Sequence, residues 1–382
     1  MKPRRIYYLQ YTNPAAYPPL QHSSRILADA GWDVLFLGTQ ALGSDALEFP
    51  QHERVRVLRM RFCAAGKRQK LHYLSYALWT FWWTLRLRPR WIYASDPLSA
   101  PAAWLATLLP GVSVVYHEHD SPPAEDATRF MRVVRAFRKR VADKADIVVL
   151  PNAVRAAVFA KDTELNRNKV ECVWNCPVGE DAAAKPSNDD TEDVWILFHG
   201  SIVPDRLPMT ILDAMAQLPA NVKLRLIGYE TAGSRGYVER FVKQVDALGL
   251  SARFHYLGPL EQRTDLLSWG RRSHIGLAFM PMKSGDLNMK HMTGASNKPF
   301  DYLASGIPLL VSDLSDWNTM FVKNGVALSC NPEDPEAIAS AIRWYLNNPK
   351  DRKAMGEAGR HRIQSEWNYE TQFASVRAML EA

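Results

Sequence analysis

A chain of 382 residues, 47% hydrophobic and 23% charged, holds enough apolar material for two domains of ordinary size, each with its own core. It has no run of 18 or more apolar residues, and the apolar run in the start MKPRRIYYLQY is very short, so neither a spanning helix nor a signal peptide is expected and the cytoplasm is the expected compartment. The net charge of +7 is uneven: residues 1–180 hold 25 Lys/Arg against 16 Asp/Glu, and residues 181–382 hold 22 against 24, which calls for an anionic partner in the first half.

In the first half RRIYYLQ, DVLFLG, VRVLRM, WIYAS, VSVVYH, DIVVL and KVECVW read as strands. Helical stretches such as HSSRILADAG, LSAPAAWLATLL and FMRVVRAFRKRVADKA lie between them. This alternation predicts an α/β domain with a parallel sheet and helices on both faces. The stretch KRQKLHYLSYALWTFWWTLRLRPRW, residues 67–91, has basic flanks around a core rich in Trp, Tyr and Leu. It is too short to span a bilayer, and two readings stay open. It lies in a membrane interface against anionic lipid, or it is a helix covering the sheet with some aromatics in an acceptor cleft. A nucleic-acid partner is not expected, because no RNA-binding motif accompanies the basic residues.

In VVYHEHDSPP a strand runs to Tyr116, with His117, Glu118, His119 and Asp120 at its carboxyl end. Polar residues there are expected to project into a cleft and not into the sheet. The His-x-His spacing fits no strong zinc pattern. Cys63, Cys172, Cys176 and Cys330 are too few for a disulfide framework and read as free thiols. The polar stretch GEDAAAKPSNDDTED, Gly179 to Asp193, reads as a linker, and its NDDTED run as solvated carboxylates and not a metal site.

The alternation then restarts. VWILFHG, VKLRLIG, RFHYLG, IGLAFM, PLLVSD and GVALSC are predicted strands, and PEDPEAIASAIRWYLNN has the start of a helix. FHGSIVPDRLPMTILDA places a Gly and a loop between a strand and a helix, a layout for holding an anion at a helix N-terminus, with Arg206 at the helix entry. SNKPFDYLASGIPLLVSD repeats that logic. Asn297 and Lys298 open a helix, Pro299 suits its first position, and Gly306 closes it. Lys298 suits a phosphate, and Asp301, near one turn on, suits a sugar hydroxyl pair or simply the helix dipole.

Taken in order, these segments resemble the nucleotide-sugar domain of a GT-B glycosyltransferase, most closely the retaining glycosyltransferase family 4. FHGSIVPDRLPMTILDAM is similar to the family's Gly-Arg-loop-Lys segment, and LRLIGYE to the strand ending in Gly that follows. FHYLGPLEQRTDLLSWGRRSHIGLAFMP resembles the next strand, helix and strand. SNKPFDYLASGIPLLVSD resembles the variant Asn-Lys-x-x-Glu-Tyr-x-Ala-x-Gly-x-Pro, and EAGRHRIQSEWNYETQF the closing Trp-containing helix pair. The likeness extends from about residue 194 to the C-terminus, and more loosely over 1–178.

The resemblance implies two Rossmann-like domains with parallel sheets facing across a cleft. Residues 1–178 would be the acceptor-side domain, 179–193 the linker and 194–365 the nucleotide-sugar domain. A helix over 366–382 would pack back toward the first domain. It implies that Arg206, in place of the family Lys, and Lys298 contact a diphosphate. Gly200, Gly228, Ser201 and Asn297 would line the donor, Ser201 replacing a family Arg. Asp301, one methylene shorter than the family Glu, would hold a ribose, and Thr293 would stand at the other Glu of that pair. Asp286 or Lys290 would supply another group. In the first half, His119 matches the family's sugar-side His, beside His117 and Asp120. The loop with Ala15, Ala16 and Tyr17 lacks the family's paired glycines and would shape the acceptor pocket.

The implied activity is retaining transfer of a sugar from a nucleoside diphosphate donor to an acceptor hydroxyl. His119, Arg206 and Lys298 would carry it without a metal or other cofactor. The acceptor would be a glycan or lipid-linked glycan, in a polysaccharide or glycolipid pathway, with an anionic membrane surface as a further partner. Two alternatives stay open: a sugar-nucleotide epimerase of the same fold, and a non-enzymatic descendant that binds a nucleotide sugar or a partner protein.

Overall fold

The structure is a computed structural model that describes residues 4–41, 47–64, 66–122, 128–166, 169–187 and 192–382. It separates into two compact units. The first runs to Asn175 and takes in Asp286–Asn288 and Tyr369–Ala382; the second comprises Cys176–Gly285 and Met289–Asn368. Most of the stretch Asn188–Asp193, weighed above for a metal, lies outside the described residues; of the rest, Asp193 pairs with Lys223.

In the first unit seven strands form one parallel sheet: β1 (Arg5–Gln10), β2 (Asp33–Thr39), β3 (Val55–Met60), β4 (Trp91–Ser95), β5 (Ser113–His117), β6 (Ile147–Leu150) and β7 (Val170–Cys172). Their order is β3-β2-β1-β4-β5-β6-β7, so the chain reverses its direction of winding between β1 and β4. Runs such as IVVL suit this, because parallel strands are apolar on both faces. The helices are α1 (Pro18–Asp29), α2 (Lys67–Leu87), α3 (Ala100–Ala106), α4 (Arg129–Lys144) and α5 (Ala153–Thr163). Helices α2 to α5 cover one face, burying Tyr76, Ala103, Val141 and Phe159 against Leu9, Ile92 and Tyr116. The opposite face carries the stacked rings of Tyr8, Phe36 and Tyr93.

In the second unit six parallel strands follow: β8 (Val194–Ile202), β9 (Val222–Glu230), β10 (Phe254–Tyr256), β11 (Ile275–Ala278), β12 (Leu309–Ser312) and β13 (Ala327–Cys330). Their order, β10-β9-β8-β11-β12-β13, puts the reversal between β8 and β11. The helices here are α6 (Thr210–Ala216), α7 (Tyr237–Ala247), α8 (Arg263–Arg271), α9 (Leu287–Lys290), α10 (Asn297–Ala304), α11 (Ser315–Trp317), α12 (Pro335–Asn347) and α13 (Pro349–Ser365). The last helix, α14 (Tyr369–Glu381), belongs to the first unit, where the Trp91 indole donates to the Leu380 carbonyl at 3.1 Å.

The stretch read as a free linker is ordered at its start. Gly179–Ala182 forms a 3-10 turn, and the Ala182 carbonyl accepts from Arg360 and Gln364 at 2.8 and 2.9 Å. These side chains bond its main chain, a use that composition does not reveal.

Gly200 and Gly228 lie opposite each other at the ends of β8 and β9, at φ 97° and 144°. A Cβ on Gly228 would sit 1.9 Å from the Gly200 carbonyl oxygen. Backbone strain and collision act together, so Gly228→Ala is expected to cost about 3 kcal/mol or more in urea unfolding. A loss under about 1 kcal/mol would show that the strand ends can part freely.

Candidate functional site

In parallel sheets, ligands bind at the carboxyl ends of strands where the winding reverses. In the second unit that place is the end of β8 beside the start of α10. Ser296 stands at the N-cap position of α10 without a side-chain capping bond, so Asn297, Lys298 and Pro299 are the helix's first three residues. Proline is therefore third and not first, still within the turn whose N–H groups have no helical partner. Lys298 is buried, with its Nζ 4.1 Å from the centre of the Phe198 ring and 3.4 Å from the Ser201 carbonyl oxygen. Among the described residues no carboxylate forms an ion pair with it. Its stem crosses Gly200, where a Cβ would lie 2.9 Å from Lys298 Cε. Burial, and then the charge of Arg206, push the Lys298 ammonium well below its ordinary pKa. Arg206 lies in the turn before α6, its N–H bonded to the Val203 carbonyl, with Nη2 3.4 Å from Met289 Sδ. Arg206, Lys298, Gly200, Ser201, Gly228 and Asn297 thus come together around one strand end.

Asp301 is buried one turn into α10. Its Oδ1 accepts from Arg263 at 2.6 Å, and Arg263 also holds Asp181 at 2.9 Å. Its Oδ2 lies 3.6 Å from His199 Nε2, but burial, then Lys298 and Arg263, keep His199 neutral, so this contact is not an ion pair. Burial raises the Asp301 carboxyl, opposed by Arg263. The carboxylate read as a ribose ligand therefore faces inward, toward an arginine that the sequence reading did not single out. Thr293 donates its hydroxyl to Asp316.

In the first unit the expectation for the end of β5 needs correcting. His117 and Glu118 are fully buried and His119 nearly so. The expectation fails for His117 and Glu118, which go into the layers of a sheet covered on both faces; Asp120 is exposed. Glu118 takes a two-pronged bond from Arg138, at 2.5 and 2.7 Å, and accepts from Tyr116 and Ser121 at 2.8 Å each. His117 Nδ1 meets the Tyr93 hydroxyl at 2.6 Å, and its ring lies 3.8 Å from that of His119. Burial lowers both imidazoles, His119 to about 4. The Tyr17 ring is 5.7 Å from His119. Arg155, fully buried, donates to the carbonyls of His119 and Asn288 at 2.6 and 2.7 Å. Asp286 is exposed and accepts from the Asn288 N–H at 2.8 Å; Lys290 is exposed too. The loop with Ala15 and Ala16 is a 3-10 turn flanked by Asn13 at φ −73° and Tyr17 at φ −120°, so glycine is not needed there. Among the described residues no group of three or more His, Cys, Asp or Glu side chains gathers as metal ligands.

The sequence over residues 180–362 matches the family described as Glycosyl transferases group 1, and residues 20–175 match the Glycosyl transferase 4-like domain. The chain belongs to the group 1 glycosyltransferases. It is 24% identical to a glycogen synthase of Mycobacterium tuberculosis, over 93% of this chain and 90% of that one. Its fold is similar to HepE of Anabaena in complex with UDP and glucose, at TM-score 0.74 and 16% identity over 99% of both chains. It is also similar to sucrose-phosphate synthase from Thermosynechococcus elongatus, at TM-score 0.71 and 16% identity, over 99% of this chain and 98% of that one. These likenesses establish the GT-B fold of two Rossmann-like domains for this glycosyltransferase.

One residue of the glycosyltransferase stands out that the sequence reading passed over. Asp96 follows β4 directly, at φ 64° and ψ 162°, a region used almost only by glycine. Its Oδ1 accepts the backbone N–H groups of His119 and Asp120 at 2.8 and 3.3 Å, and its Oδ2 accepts from Gln10 at 3.3 Å. The written dipeptide Asp-Pro signals a turn but not this conformation. Burial lifts the carboxyl from 3.8 to about 6. The folded protein thus holds this proton over a pH range where the unfolded chain has lost it, and this group's contribution falls as pH rises from about 4 to 6. Asp96→Asn removes that dependence. Its unfolding free energy relative to the parent is expected to rise by about 1–2 kcal/mol between pH 4 and pH 7, allowing for partial exposure. A pH-independent difference in urea unfolding would show an unperturbed carboxyl.

Proposed function

We propose that this glycosyltransferase moves a hexose-type sugar from a nucleoside diphosphate donor to an acceptor hydroxyl with retention at the anomeric carbon. The observation that carries the reading is the buried Lys298 ammonium beside Arg206. A buried cation without a carboxylate is costly, and a bound anion removes that cost. The diphosphate is the anion the reading requires, since charge develops on it as the glycosidic bond breaks. Lys298 and Arg206 hold that leaving group, with Gly200 and Gly228 letting the donor approach the backbone. Asp301 acts through Arg263 by fixing α10, and not as a direct ribose ligand. His119, with Tyr17 and Asp120, is the first unit's candidate for contact with sugar or acceptor. Its neutral imidazole suits a hydroxyl. No metal is assigned a part. HepE with UDP and glucose makes UDP-glucose the first donor to try. The acceptor we infer is a glycan carried on a lipid at a membrane surface, in polysaccharide or glycolipid synthesis.

Lys298→Met keeps the stem and removes the charge. It is expected to raise the melting temperature of the ligand-free protein while abolishing the stabilisation given by UDP. Arg206→Ala is expected to lower kcat/KM for the donor by about 10²-fold. Unchanged UDP binding in both variants would end the reading. Retention is checked separately, by NMR of the first product: an inverted anomeric centre would refute it.

A further inference from the structure

Helix α2 packs Tyr73, Tyr76, Ala77, Thr80 and Thr84 inward on the sheet. Its other face is unusual. Leu71, Leu74, Leu78, Trp82 and Leu85 are between 43% and 68% exposed. Steps of three and four residues set them in one stripe along the outer side of the helix. Isolated exposed leucines need no explanation, but a continuous stripe does. The stretch 67–91 also carries Lys67, Arg68, Lys70, Arg86, Arg88 and Arg90, with no acid at all. Helix α4, in the same layer of helices, adds exposed Arg132 and Arg140 and an exposed Val133.

We infer that this face of α2 is a docking surface for an anionic lipid membrane, with the helix lying flat in the interface. The inference rests on the lipid-borne acceptor proposed above. The 21-residue helix measures about 31 Å, so its length alone matches a bilayer core, contrary to the expectation from sequence. Among the described residues, however, no helix is long and apolar enough to cross a membrane. An apolar stripe between basic ends is the pattern of a helix that lies in the headgroup region. A second copy is a poorer occupant. Any twofold pairing of α2 with itself sets one acid-free basic segment against another. The placement also serves the reaction. The Tyr11 hydroxyl, just beyond β1, meets His72 Nδ1 of α2 at 2.9 Å. The first turns of α2 therefore stand at the carboxyl edge of the sheet, where ligands bind. A lipid headgroup at that end of the stripe lies beside the edge that holds His119.

The test is flotation of the full chain with phosphatidylcholine vesicles, with and without phosphatidylglycerol. The protein is expected to float with the anionic vesicles only. The exposed triple variant Leu74→Ser, Leu78→Ser, Trp82→Ser and the variant Lys67→Glu, Arg68→Glu, Lys70→Glu are each expected to lower the bound fraction at least about tenfold. Stabilisation by UDP should be unchanged in both. Failure to float with anionic vesicles, or flotation of the serine variant equal to the parent's, overturns the proposal. So does a sedimentation result in which the parent is a dimer and the serine variant a monomer, since a second copy then covers the stripe. Flotation that depends on α2 in a protein that UDP does not stabilise supports the docking surface and removes the donor reading alone.

Discussion

The Lys298 ammonium is a positive charge sealed into the second unit without a carboxylate to meet it, and the surrounding chain is arranged around that cost. Gly200 has no side chain, so the lysine stem can cross the end of β8. Phe198 places a ring face under the charge, and the Ser201 carbonyl is the nearest oxygen. Each is a weak partner compared with an ion pair. The helix adds its own positive end, since Lys298 is the second residue of α10. Arg206 makes matters worse. A fold that only had to be stable would put methionine at this position. The arrangement makes sense when an anion completes it, because the same charges that oppose one another in the free protein then share one partner.

The departures from the family pattern follow from the same crowding. Ser201 stands where an arginine is usual, but its backbone carbonyl is what touches Lys298, so the side chain is not required for that contact. A third cation at this strand end would depress Lys298 further. Asp301 is shorter than glutamate and is turned toward Arg263, which it shares with Asp181. Arg263 thereby joins α8, α10 and the turn at Gly179–Ala182. That arginine ties the middle of α10, one turn after Lys298, to its neighbours.

Much of this fold was legible from apolar runs. Strands buried on both faces leave segments such as IVVL and PLLVS, and the helices between them leave a period near four residues. The strand-end glycines and Lys298 were legible as well, because helix starts and strand ends have local signals. What escaped depends on partners far away in the chain. Arg263 reads as an ordinary helix-start residue in EQRTDLL; its carboxylates are 38 and 82 residues away. Glu118, just past β5, reads as a cleft residue because its partner Arg138 lies on α4, 20 residues on. Asp96 escaped for a different reason. Its role depends on a backbone angle that no residue pattern records, and on two N–H groups that reach it only once β4 and β5 are paired.

The two units treat charge in opposite ways, and this difference constrains the chemistry. In the first, burial holds His117 and His119 neutral and lifts Asp96, while the acid Glu118 is fully matched by Arg138. The groups at that strand end can exchange hydrogen bonds with hydroxyls but carry little net charge toward a ligand. In the second, two cations are kept at the strand end and the nearby carboxylate is occupied by Arg263. Taken separately, the first strand end suits hydroxyl groups and the second suits an anion. A sugar has hydroxyls and no charge, while a diphosphate has charge concentrated on a few oxygens. In the reading proposed above, the second unit's cations meet the diphosphate; with neutral imidazoles in their place, that unit would offer the developing charge no partner.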